Sequence, residues 1–197
     1  MKSIPSSFDR LAAMTVLLTT GEIVGRHALN RLIWFADLVH FLQHGRTISG
    51  AVYSRWPFGP EANEMDTVRR VLIRDGLINE HIQESRCYRV HAYQARRRNI
   101  DYGLLRQEFA ASELRTLKAV ERVLRGQPGG YLSAMARRFE PWIGTRPGDD
   151  LEWRRAQSDA KLQQWMASLG LIRKPVSSPC WPPGDAIACT LQPYPNN

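Results

Sequence analysis

A chain of 197 residues with 43% hydrophobic side chains can bury one sizeable core, and no apolar run approaches the roughly 20 residues that span a bilayer. The net charge of +8 admits acidic partners, but the excess sits mostly in residues 81–127, and only four of the 27 basic residues are lysine, so the Arg bias is general. Three scattered cysteines, Cys87, Cys180 and Cys189, argue against a disulfide framework and fit a reduced, cytoplasmic protein.

Ser6 or Ser7 can cap a first helix with Asp9 in its first turn, where a carboxylate suits the helix dipole. Phe8, Leu11, Ala12, Thr15 and Leu18 recur at helical spacing, and Gly21 ends the run. Asp9 and Arg10 precede the stretch LAAMTVLL and no small-residue cleavage site follows it, so it reads as a packing helix of the mature domain.

The second helix, over residues 27–44, is the central one. Leu29, Leu32, Ile33, Phe35, Ala36, Val39 and Leu42 cover more than half of its circumference. Asn30, Trp34, Asp37, Phe41 and His44 form a narrow stripe on the remaining face. Two readings stay open there: aromatic anchors with single polar groups make a partner surface, or Trp34 and Phe41 pack inside while Asp37 caps a neighbouring N-terminus. His40 and His44 are one turn apart, but with no third ligand nearby no metal is expected.

Gly45 stops this helix, and residues 47–52 read as a short strand. Trp56, Pro57, Phe58, Gly59 and Pro60 follow as an aromatic turn, with Pro60 pre-set for the first turn of a third helix over 60–75 that Gly76 stops. Large aromatics on such a turn either plug the core or wait for a partner, with Trp56 leaning to the core. Residues 77–93 alternate as a hairpin. Helix, Gly stop and two-stranded wing are the parts of a winged helix, and Arg86, Arg89, Arg96, Arg97 and Arg98 put positive charge on or just after the wing. They suit a nucleic-acid contact or an acidic partner; a solvated basic edge strand that resists aggregation is the plain alternative.

Residues 99–111 read as a connector with a helical turn or two. Ser112 caps a helix that Gly126 ends, a short helix covers 131–138, and Gly148, Asp149 and Asp150 start another that ends at Gly170. A helical domain over 1–174 is followed by a Pro-rich extended tail over 175–197, in which 186–191 could pair as an edge strand. No phosphate-binding Gly loop, nucleophile elbow or zinc knuckle is present, and the carboxylates are dispersed. The residues describe a binding protein without cofactor rather than an enzyme.

From Asn30 to Ile78 the chain resembles the Panacea domain of SocA-type antitoxins, found in bacterial and phage toxin–antitoxin pairs. The matching series is the Asn-Leu-apolar-aromatic-Ala-Asp pattern ending at Asp37, the stretch GRTISG at 45–50, the turn with Gly59 and Pro60, and the helix ending before Gly76. Leu132, Ser133, Pro141 and Trp142 continue it, so the resemblance covers roughly residues 8–155. Arg137 stands where the family often has a His, and Glu61 where an apolar residue is common. The resemblance implies an antitoxin that neutralises a cognate toxin by direct contact; on the reading of the residues above, Asn30, Trp34, Asp37, Phe41, Trp56, Phe58, Gly59 and Pro60 would anchor that contact. A role as adaptor that presents the toxin to a AAA+ protease is also within what it implies; a phage-borne protein that disarms a host defence system with the same masking surface would look identical in sequence. The alternative is a winged-helix DNA-binding regulator. The expected fold is mainly α, with a short strand and a winged-helix-like β-hairpin.

Overall fold

The computed structural model describes residues 6–84 and 89–173. Arg86, Cys87, Tyr88, Cys180, Cys189 and the proposed tail strand lie outside them. The described chain is mainly α and runs α1 (Ser7–Leu18), β1 (Val24–Gly25), α2 (Arg26–His44), β2 (Tyr53–Trp56), β3 (Gly59–Ala62), α3 (Met65–Arg74), β4 (Ile78–Glu84) and β5 (Arg89–Ala95). It continues through α4 (Tyr102–Gln107), α5 (Ala111–Leu124), α6 (Gly129–Ala136), α7 (Glu140–Ile143), α8 (Arg154–Ser158) and α9 (Ala160–Ser168). No described helix is long and apolar enough to cross a membrane.

The termini of the first two helices follow from local chemistry. Ser6 caps α1 by accepting the Asp9 N–H at 3.2 Å while the Asp9 carboxylate accepts the Ser6 N–H at 3.0 Å. Gly45 closes α2 with φ of 72°, a left-handed conformation that glycine adopts without a Cβ penalty. Between those ends every residue from Leu29 to His40 is buried, so α2 is the axle of the core. Helices α1, α5 and α6, strand β3 and the sheet pack around it.

Two antiparallel sheets flank the helices. One has the order β1-β5-β4, with Val24 opposite Tyr93 and Ile78 opposite Ala95; the hairpin was expected, the third strand β1 was not. The other is the hairpin β2-β3, in which Trp56 lies opposite Gly59 across the two-residue turn Pro57 and Phe58.

Four expectations about local structure need correction. Residues 47–52 form no strand, because the Asp37 side chain takes the backbone N–H groups of Ile48 and Ser49 that a ladder would need. Pro60 lies in β3 opposite Arg55 rather than in α3; lacking an N–H it is tolerated in this short ribbon, and the helix waits until Met65. Ser112 does not cap α5. Glu113 does, accepting the Ala110 N–H at 2.8 Å. Asp149 and Asp150 start no helix: their segment runs beside β2, with Arg55 N–H donating to Asp149 O at 2.9 Å and Leu151 N–H to Tyr53 O at 2.7 Å.

Candidate functional site

The polar groups of α2 divide into two clusters. At Asp37, fully buried, one carboxylate oxygen accepts the N–H groups of Ile48 and Ser49 at 2.7 and 2.8 Å. The other accepts the Tyr53 hydroxyl at 2.6 Å and the Ser49 hydroxyl. Burial pushes this carboxyl up, while the four donors pull it back toward its charged form. Tyr53 is held well above the usual phenol range by its own burial and by the Asp37 charge. The arrangement is a clamp that fastens the 47–53 segment to the axle.

About two turns toward the N-terminus lies the second cluster. Asn30 accepts from Arg69 at 2.7 Å, and Arg69 donates onward to Glu61 at 2.9 Å and to Asp66. The fully buried Arg31 sits beneath the β2-β3 turn: a Cβ at Gly59 would stand 3.0 Å from its Cζ, and Gly59 itself has φ of 112°. Only glycine combines that backbone conformation with so close an approach.

The turn above is the most exposed aromatic element among the described residues. Trp56 is 50% and Phe58 64% exposed, so the core position expected for Trp56 is not the one it takes. The turn's carbonyls explain why: Arg137 donates to Pro57 O at 3.4 Å and the Trp142 indole to Trp56 O at 3.3 Å, holding the strand so that both rings face outward. Phe58 rests on His27 with ring centroids 5.2 Å apart, and burial with the charges of Arg31 and Arg26 depresses the His27 imidazole. The turn forms one wall of a groove of about 1310 Å³; β5 supplies Arg89, Val90 and His91, and the starts of α2 and α6 supply the floor. Ile23 and Val90, both exposed, add apolar surface to it. Asp150 braces the outer end, accepting from Ser54 at 2.8 Å and Asn63 at 3.3 Å.

The proposed partner residues therefore separate. Trp56 and Phe58 offer surface. Asn30, Trp34 and Asp37 offer none in this conformation, because the axle helix is enclosed on every side at their level. Phe41 is half-buried against Trp153 at 5.8 Å, and Gly59 and Pro60 are buried supports of the turn. Of the basic group, Arg89 pairs with Glu84 at 3.1 Å and Arg96 with Asn79, while Arg97 and Arg98 are exposed on a 3₁₀ turn. No cluster of three potential metal ligands occurs among the described residues.

Sequence reasoning passed over Arg31, His27 and Asp159. Arg31 carried a signal: Ala28, Phe35 and Leu38, one or two turns away on the same face, are all apolar. Asp159 caps two helices at once, accepting Leu162 N–H at 2.9 Å and Glu140 N–H at 2.7 Å, and nothing local in the sequence announces the second.

A family model described as the SocA-like antitoxin Panacea domain matches residues 29–143, more than half of the chain. No curated protein and no solved structure matches it.

Proposed function

The chain belongs to the SocA-like Panacea antitoxin family, and from that premise we propose that it neutralises a toxin protein by covering it, with the β2-β3 turn as anchor. The observation that carries this reading is the pair Trp56 and Phe58, both more than half-way or half-way into solvent yet fixed from behind by Arg137 and Trp142. Exposed aromatics beside a groove contribute large contact area. Val90 and Ile23 widen the apolar patch, and Arg26, Arg89 and Arg125 at its rim are each countered by a carboxylate, so the patch has no strong sign of charge. A non-catalytic role accords with the family.

The test is co-expression with the toxin. A tagged chain should retain one stoichiometric protein from nuclease-treated lysate of its native host, and its Trp56→Ser, Phe58→Ser double variant should fold normally, lose that protein and fail to restore growth. Full neutralisation by the double variant would move the contact elsewhere. A second reading, DNA binding by a winged helix, draws on the three-stranded sheet β1-β5-β4 that follows α3 and on the exposed Arg97 and Arg98, although the β2-β3 hairpin interrupts the helix pair α2 and α3. Under it, Arg96→Ala, Arg97→Ala, Arg98→Ala would abolish retention on DNA and spare neutralisation.

A further inference from the structure

Arg31 alone among the described arginines combines zero exposure with no hydrogen bond for any of its three guanidinium nitrogens. Such a group is costly: a cation taken out of water needs a counter-charge or a full set of acceptors. No hydrogen-bond acceptor is supplied from within. Glu61, whose charge favours the guanidinium, is shared: it accepts from Arg69 at 2.9 Å and lies 3.8 Å from Arg26, while Arg137 adds like charge. Burial pulls the guanidinium down to about 10, which leaves it charged at neutral pH.

Two further donors of α2, Trp34 Nε1 and Asn30 Nδ2, are also buried without acceptors. An unpaired buried guanidinium is complementary to an oxyanion. Its roof is thin. Gly59 contributes no side chain, Phe58 is largely in solvent, and the turn's carbonyls are held by the 3.3 and 3.4 Å bonds from Trp142 and Arg137.

We propose that Arg31 is a latent carboxylate site: when the 56–59 turn lifts, a carboxylate enters beneath it and takes the guanidinium in the two-pronged geometry that Arg and carboxylate share. The carboxylate comes from an acidic side chain of a bound protein or from a free small acid. The site itself stands without the masking role; only the protein source rests on that reading.

The experiment follows the Arg31 Nε–H resonance in the ¹⁵N-labelled full chain, assigned through its own backbone signals. It is titrated with sodium acetate against sodium chloride of equal ionic strength, and with acetyl-Leu-Glu-Leu-amide against acetyl-Leu-Gln-Leu-amide. Acetate should shift the Arg31 signal and raise Tm by about 2–4 °C over chloride, and the Arg31→Met variant should begin with a higher Tm and lose the acetate response. A Glu peptide acting at tenfold lower concentration than acetate, with the Gln peptide silent, assigns the site to a protein carboxylate; acetate acting at the lower concentration assigns it to a free acid. No shift with either carboxylate overturns the proposal, as does an Arg31→Met chain less stable than the wild type, which would mean that the fold already satisfies the guanidinium. Neutralisation by the Trp56 and Phe58 variant is read separately, so either idea can fail alone.

Discussion

Asp37 and Arg31 lie six residues apart on one helix, both with no exposure, and they meet burial in opposite ways. Asp37 has four donors and fastens a loop; Arg31 has no acceptor and lies under a turn that carries two exposed aromatic rings. The contrast separates residues that hold the fold from residues kept in reserve. A satisfied buried charge is part of the architecture, and an unsatisfied one is a cost that the fold does not offset from within.

The largest effect expected on this comparison comes from Asp37→Ala. It strands two buried N–H groups and the Tyr53 hydroxyl, and the urea midpoint should fall by an amount equivalent to about 3–5 kcal/mol. Next is Gly59→Ala, at about 1–3 kcal/mol, because the residue would carry a Cβ at φ of 112° and press it 3.0 Å from the Arg31 Cζ. In an Arg31→Met background part of that loss should vanish, and a double-mutant cycle in urea measures how much of it passes through the guanidinium. Additive losses would show that the turn and Arg31 are independent, which breaks the comparison.

Two smaller effects sharpen it. His27 and His40 are both depressed, each first by burial, then His27 by Arg31 and Arg26; for His40 the next contribution, the Arg46 carbonyl, works the other way. A depressed imidazole binds fewer protons folded than unfolded, so stability falls as pH drops from the unfolded value of about 6.5 toward the lower folded value. The urea midpoint should therefore be lower at pH 5.5 than at pH 7.5, and His27→Gln with His40→Gln should flatten that difference. The smallest stability change, within about 0.5 kcal/mol, belongs to Trp56→Ser and Phe58→Ser, since rings already in solvent leave little behind when removed.

What was legible in the sequence was legible for local reasons. Helix α2 follows from an apolar period and a Gly stop, α1 from Ser6 and Asp9 three residues apart, and the β4-β5 hairpin from alternation. What was missed depends on partners far along the chain. Asp37 reaches 11 and 12 residues forward to take the backbone of a segment that reads as a strand on propensity alone. Asp150 looks like a helix start until Ser54, 96 residues earlier, is placed beside it. Trp56 has the size of a core residue, and only Trp142 and Arg137, more than 80 positions away, turn it outward. The sequence singled out the aromatic turn and the central helix together, and only burial separates the exposed turn from the enclosed helix.

The pairing of β2 with the 148–151 segment bears on the order of events during synthesis. Strand β2 is made early, yet its outer edge stays open until Asp149 and Leu151 have been added, and the indole that props Trp56 belongs to that same late part of the chain. At about 5–20 residues per second, translation takes several seconds to cover that interval. During that time a growing chain already contains Trp56 and Phe58 but lacks the frame that aims them. The edge of β2 is thus closed only late in synthesis, and a truncated copy ending before residue 148 would lack the segment that pairs with it.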